Sequence, residues 1–437
     1  MDTRTGDLPH GQTASPKRQR IRPPCSQKAE KENSGGRLIG SKPIGLASLA
    51  VGTSKPGPPR PQQNMSIRNV YQETTSFTAL DQAERDVSKG KGEKRDVLLF
   101  GQNREDNLHD LSAMLRRGEV PKVKYNSFYV YIPKTRKVIY IDYPNKIIQR
   151  AAYNCINPRL NKGFISETYA CIPGRGQLAA MLAVQEAIRY TRTAPGEWSY
   201  YKFDVAKFFY RIVHEILMGQ LRHKIADRQM TDLLEYYICN TGTTFGLPLT
   251  DNQDDPVEPD ALSAIGIPIG GGLSHTFGNL YLDPLDQFIK RELQVPLYWR
   301  YMDDGIILDN NKDRLKDNGK RVEEFLFENL QLTLNKKTCL RPVRTGLEFV
   351  GCVIYDDHTI LRKSTTLRMK RRLADVEKGY RDGEITLEKA HQTVASYQAM
   401  LKHVDMDRYE EKLWANFVLT HGDLREAKQH PIFYKGE

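Results

Sequence analysis

Apolar residues fall into an ordered pattern only from Met65 onward; before it they follow neither the two-residue repeat of a strand nor the 3.6-residue repeat of a helix. From Met65 to about Arg117 the repeat is helical on a polar background, with Leu108, Leu111 and Leu115 on one face. Alternation takes over in VKYNSFYVYIPKTRKVIYIDYP, two strand-like runs joined by Pro133-Lys134-Thr135-Arg136, and this predicts a β-hairpin. Helical spacing returns in IIQRAAYNCINPRL and again after Gly174-Arg175-Gly176, where a second helix is predicted to open. Tyr200 to Phe209 is aromatic and β-branched enough to be a strand, helices run on to Tyr237, and the Pro/Gly/Asp-rich Thr241 to Asp260 reads as a surface loop. Gly270, Gly271 and Gly272 lead into a helix from about Leu273 that turns Phe277, Leu280 and Tyr281 inward. Leu297 to Leu308, LYWRYMDDGIIL, is strand, tight turn, strand; Arg321 to Leu330 is a helix, and Gly346 to Tyr355 a second strand pair. Thr366 to Phe417 is helical, with one stripe at Met369, Leu373, Val376 and Tyr380 and another at Leu387, Ala390, Val394, Tyr397 and Leu401. Lys370, Arg371 and Arg372 point away from the first stripe.

Charge and composition sharpen the break at Met65. Residues 1–64 hold eleven Lys and Arg against four Asp and Glu, a net of +7 out of the chain's +11, together with nine prolines and no Phe, Tyr or Trp. Such a stretch cannot bury enough apolar surface to order itself, so a disordered basic leader is expected, with Pro16 to Arg22 as its densest cluster. It serves either as a flexible tether for RNA or as a dispensable leader. The 437 residues suffice for two or three domains, and the basic balance suits a polyanionic partner. No run of about eighteen apolar residues and no signal peptide is found, which leads to the expectation of a cytoplasmic protein without membrane contact. Six cysteines without CxxC spacing argue against a zinc site or a disulfide framework.

The chemistry concentrates in acids placed inside apolar strands. Asp303 and Asp304 sit at the turn of LYWRYMDDGIIL, where two adjacent carboxylates repel each other and half-burial sharpens the repulsion unless a cation neutralises it. Asp204 is the only acid in Tyr200 to Phe209. Three converging carboxylates are hard oxygen ligands of the kind that suits Mg²⁺, and two such ions about 3.5–4 Å apart hold both the attacking and the leaving oxygen of an in-line phosphoryl transfer. Elsewhere, Lys134 and Arg136 at a hairpin tip supply charge and donors for a triphosphate. Arg175, at the entry of a helix, is placed to meet phosphate.

Tyr301-Met302-Asp303-Asp304 on a hairpin, preceded about a hundred residues earlier by a strand Asp followed by two Phe, resembles the palm of a reverse transcriptase. The resemblance spans roughly residues 70 to 415 with the major blocks in family order. Tyr169-Ala-Cys-Ile-Pro-Gly-Arg-Gly176 is most like the reverse transcriptases of diversity-generating retroelements, and less closely those of retrons and group II introns. One departure stands out: Ser274-His275 replaces the Ser-Gln typical of that group.

The resemblance implies an α+β, right-hand polymerase with fingers, a ferredoxin-like antiparallel palm and a helical thumb. It divides the chain into the leader 1–64, N-terminal helices and fingers 65–195, palm 196–360, and thumb with C-terminal tail 361–437. It implies an RNA-directed DNA polymerase with Asp204, Asp303 and Asp304 as catalytic residues that hold two Mg²⁺ (or Mn²⁺), joined by the carbonyl of Val205. Lys134, Arg136, Phe209, Pro268, Ile269, Gly270 and Lys336 are the implied nucleotide-binding residues; Arg175, Tyr301, Met302 and Gly351 are implied at template and primer. Phe209 takes the place of the aromatic that crowds the sugar 2′-position, and Lys336 that of a lysine beside the leaving pyrophosphate. Partners follow: an RNA template, a DNA or RNA primer, deoxynucleoside triphosphates and a small basic accessory protein. After the thumb no ribonuclease H, maturase or endonuclease domain is expected. A defence-associated reverse transcriptase, an RNA replicase (which Phe209 argues against) and an inactive RNA-binding scaffold are the competing readings.

Overall fold

The computed structural model describes residues 66–131, 136–239, 245–247, 263–268 and 272–420, with backbone alone at 19–20, 136 and 137. The expected leader and the Thr241 to Asp260 loop therefore lie almost wholly outside the described residues. Of the leader, Gln19–Arg20 (β1) pairs antiparallel with Glu119–Val120 (β2).

The N-terminal helices are α1 (Val70–Thr74), α2 (Phe77–Ser88), α3 (Arg95–Gly101) and α4 (Arg104–Arg116). They wrap α5 (Tyr143–Leu160), whose Ile147, Ile148, Ala151, Ala152 and Ile156 are sealed from solvent. Leu108, Leu111 and Leu115 are buried together as their spacing predicts. Polar bracing accompanies the packing: Arg104 reaches both Asp81 and Glu84, and the Tyr143 hydroxyl donates to Glu84. The predicted hairpin is present as β3 (Tyr125–Val130) and β4 (Arg136–Ile141), in register from Tyr125↔Ile141 to Val130↔Arg136.

The central sheet orders its strands β6-β7-β5-β8, with every neighbouring pair antiparallel. These are β5 (Ser199–Asp204), β6 (Tyr298–Tyr301), β7 (Asp304–Asp309) and β8 (Cys339–Pro342). Between β5 and β6 run α7 (His214–Lys224), α8 (Arg228–Cys239) and α9 (Ser274–Gln287); between β7 and β8 runs α10 (Lys312–Leu330). A strand-helix-strand-strand-helix-strand chain with its first strand inserted beside the third is the ferredoxin-like arrangement expected of the palm. Alternation along the strands divides the side chains between two cores. Tyr201, Phe203, Tyr298 and Ile307 meet α9 and α10, whereas Tyr200, Trp299, Ile306 and Leu308 meet α6 (Gln177–Thr191) and the C-terminal elements.

That second core also takes in the small sheet of β9 (Leu347–Phe349), β10 (Cys352–Ile354) and β11 (Thr359–Leu361). The helices expected as the thumb, α11 (Lys363–Arg381), α12 (Leu387–Leu401) and α13 (Asp407–Ala415), follow, and Met369, Leu373 and Leu401 close against it.

Three expectations need correction. The helix expected at Arg321 begins at Lys312, because Asn311 caps it by accepting from the amides of Asp313 and Arg314. Its first turns are so polar that the apolar repeat does not show them. The strand expected to reach Phe209 stops at Asp204, since Phe208–Tyr210 turns in a 3₁₀ helix behind Lys207 at φ 49°. Leu387, at the start of α12, is 46% exposed and leaves its predicted stripe.

Candidate active site

Strand register brings the acids together. Asp204, the last residue of β5, is the cross-strand partner of Asp304, the first of β7, and Tyr301 at the end of β6 pairs with Asp304 from the other side. Met302 and Asp303 form the two-residue turn between them. Met302 has φ 56° and Asp303 does not share a positive φ, which places a bulky residue at the first central position of a hairpin turn where glycine is favoured. Gly305 follows because nothing larger fits: a Cβ there would lie 2.1 Å from the Phe203 ring. The backbone beyond Asp204 is stitched to its surroundings by Val205 N to Asp303 O (3.2 Å), Ala206 N to Thr333 O (2.9 Å) and Asn335 N to Asp204 O (2.7 Å).

The electrostatics follow from this crowding. Burial, reinforced by the charges of Asp204 and Asp304, pushes the Asp303 carboxyl up to about 7. Asp204 is raised by burial and then by Asp304, against the opposing pull of a hydrogen bond with Asp303 and the charges of Lys202 and Lys337. Lys202 Nζ lies 3.7 Å from Asp304 Oδ1 and donates to Glu348 O at 2.9 Å, tying the carboxylates to β9. Among the described residues no three His, Cys, Asp or Glu side chains are already closed around one point as ligands. The donor set nevertheless fits a divalent cation. Asp303 and Asp204 share a hydrogen bond and Asp304 leans on Lys202, so excess negative charge is being compensated by a proton and an ammonium that a hard cation would displace.

The other expected residues divide. Phe209 is partly buried, its ring 5.2 Å from Phe208 and edge-on to His275 at 5.9 Å, and its carbonyl accepts from Ile267 N at 2.8 Å. This draws Pro268 alongside, its carbonyl taken by Ser274 Oγ at 2.7 Å. Val205 and Met302 are buried at the turn, and Tyr301 packs against both cores. Gly351, at φ 89°, makes the β9–β10 turn, and its carbonyl accepts from Thr365 Oγ1 and Arg362 N. Arg175 points Nη1 at the carbonyls of Ile165 and Thr168, both at 2.7 Å, bracing its own loop. Lys336 is exposed, and it is the neighbouring Lys337 whose charge is felt at Asp204. Lys134, Ile269, Gly270 and the side chain of Arg136 lie outside the described residues.

Sequence reasoning passed over Lys202 and Arg300, and of the Lys336-Lys337 pair assigned the role to Lys336. Lys202 had a signal, since it is two residues before Asp204 on one strand and so shares its face. Arg300 had one too: a lone cation inside LYWRYM.

Comparison with known proteins adds three findings. Residues 120–354 match the family model for "Reverse transcriptase (RNA-dependent DNA polymerase)". Protein YkfC of Escherichia coli (strain K12) is 24% identical over 309 residues, 62% of this chain and 74% of that protein. Among solved structures, apo telomerase from Candida tropicalis is similar at TM-score 0.41 and 12% identity, over 65% of this chain and 60% of that one. Telomerase from the same organism in complex with a fragment of telomeric RNA gives TM-score 0.40 and 14% identity, over 63% and 52%. The chain thus spans about half to three-fifths of the length of the telomerase chains it matches.

Proposed function

The chain belongs to the reverse transcriptase (RNA-dependent DNA polymerase) family, and from that premise we propose that it copies an RNA template into DNA, within a diversity-generating retroelement. The observation that carries the activity is the convergence of Asp204, Asp303 and Asp304 at one end of the palm sheet, with raised carboxyl pKa values at two of them. Family members use divalent metal ions. Here Asp204, Asp303 and Asp304, with the Val205 carbonyl, would hold two Mg²⁺, which supply charge neutralisation for in-line attack of a primer 3′-hydroxyl on the nucleotide α-phosphorus.

The chain's own residues do the rest. Phe209 borders the nucleotide sugar and limits the space at the 2′-carbon. Pro268 borders the nascent pair, and the family resemblance assigns Ile269, Gly270, Lys134 and Arg136, which fall outside the described residues, to contacts with the nucleotide. The β9–β10 turn at Gly351 positions the primer terminus, and the basic face of α11 follows the duplex backbone. An aliphatic residue at 269 offers the incoming nucleotide no donor, which supports the retroelement assignment, because enzymes of that group miscopy template adenines. Losing one such contact is worth about 0.5–1.5 kcal/mol, roughly a three- to tenfold change in selection.

Primer extension on RNA, with the native template and a small basic accessory protein present, tests both levels. Asp204→Asn should abolish extension while leaving RNA affinity within about twofold; extension near the wild-type rate would refute the two-metal reading. Sequenced products should carry errors concentrated at template adenines and reduced by Ile269→Gln. A low, base-independent error rate would instead favour a defence-associated enzyme.

A further inference from the structure

Among the described residues the largest fully buried side chain is a charged one, Arg300, at 0% exposure in β6, three residues before Asp303. Its guanidinium forks onto Asp286 of α9, Nε to Oδ1 at 2.7 Å and Nη2 to Oδ2 at 2.6 Å. Asp286 is equally sealed, and takes further hydrogen bonds from Tyr298 Oη (2.7 Å) and Thr168 Oγ1 (2.9 Å). The remaining nitrogen of the fork, Nη1, donates to Met302 O at 2.8 Å and reaches Asn279 Oδ1 at 3.3 Å. Backbone bonds hold the same residue in place: Arg300 N donates to Glu167 O, and Tyr169 N to Arg300 O, both at 3.0 Å.

Burying an ion pair is a poor route to stability, because desolvation offsets the attraction and apolar residues of similar volume do as well or better. What the pair supplies is geometry. The carbonyl that it grips belongs to Met302, the residue at φ 56°, a left-handed conformation that L side chains disfavour. Releasing that carbonyl would let Met302 relax to negative φ and swing the peptide that leads into Asp303. We propose that Arg300 is a positioning residue: braced by Asp286, it holds the Met302 peptide in the left-handed turn that presents Asp303 and Asp304 beside Asp204. This rests on the functional reading above.

The test compares Arg300→Lys, which keeps charge but cannot fork, with the double variant Arg300→Met/Asp286→Leu, which removes the pair in favour of apolar packing. Each is made with Met302 intact and with Met302→Gly, since glycine adopts the left-handed conformation without penalty. Four readings are taken: melting temperature, hydrogen exchange at the Val205 amide (which donates to Asp303 O), Mn²⁺ affinity by electron paramagnetic resonance, and extension rate per folded molecule. The double variant is expected to stay folded, to exchange its Val205 amide faster, and to lose about 10–100-fold in Mn²⁺ affinity and rate. Met302→Gly should recover at least part of each. Wild-type exchange and Mn²⁺ affinity in the folded double variant, or losses that Met302→Gly leaves untouched, would overturn the proposal. So would a double variant that cannot fold, which would assign the pair to the fold alone. Exchange at Val205 needs no turnover, so a chain inactive as a polymerase would fail the functional reading and still report on Arg300.

Discussion

Replacing Asp303 by Asn should make the metal-free protein more stable and the enzyme dead. In the folded chain burial, then Asp204 and Asp304, raise the Asp303 carboxyl from 3.8 to about 7. That gap corresponds to about 4 kcal/mol between ionised and protonated forms, at about 1.4 kcal/mol for each tenfold change in acidity. The sign follows from linkage: the folded pKa lies above the unfolded one, so stability is fully present below 3.8 and is lost as pH rises through about 7. Asn carries no charge, and its amide can still donate to Asp204. It has its own desolvation cost, and the coupled carboxylates share the penalty, so about 1–3 kcal/mol should be recovered. For a chain of this size that is a rise of about 1–4 °C. The assay is thermal melting of wild type and Asp303→Asn in chelator from pH 4.5 to 8. The two should converge at the acid end and separate progressively to above pH 7, with the variant higher. Added Mg²⁺ should raise the wild type more than the variant, because ligand binding stabilises only the state that binds it. A pH-independent difference, or a variant that melts below wild type at pH 7.5, would refute the reasoning.

Gly305→Ala places a methyl 2.1 Å from the ring of Phe203, which is 1% exposed, and should cost about 3 kcal/mol or more in urea unfolding; Phe203→Leu in the same chain should recover part of it. Phe209→Ala should admit ribonucleotides, read as the ratio of kcat/KM for the two sugars, and an unchanged ratio would place the discrimination elsewhere. Lys337→Ala should slow extension about tenfold or more and Lys336→Ala less, because of these two neighbours it is Lys337 whose charge acts on Asp204; the reverse order would restore the role to Lys336.

What could be read in advance was what repeats locally. Asp204 was found as the lone acid in an aromatic, β-branched run, and Asp303 and Asp304 as acids at the turn between two apolar runs; the register that pairs Asp204 with Asp304 appears only in the sheet. The opening of α10 went unseen for the matching reason: from Lys312 to Lys320 only Leu315, Asn318 and Gly319 turn inward, and an Asn and a Gly do not register as an apolar face although Gly319 packs directly on the Tyr201 ring. Arg300 fails differently. A charge in a strand could be noticed, but its meaning lies in Asp286, Asn279 and Thr168, which reach it from another helix and from a loop over a hundred residues away. Local pattern locates a charge; only tertiary contact decides whether it is compensated. The same division governs the carboxylates themselves. Their placement was legible, but the rise of Asp303 to about 7 depends on how far it is buried and how near the charges of Asp204 and Asp304 lie, and no spacing rule encodes that.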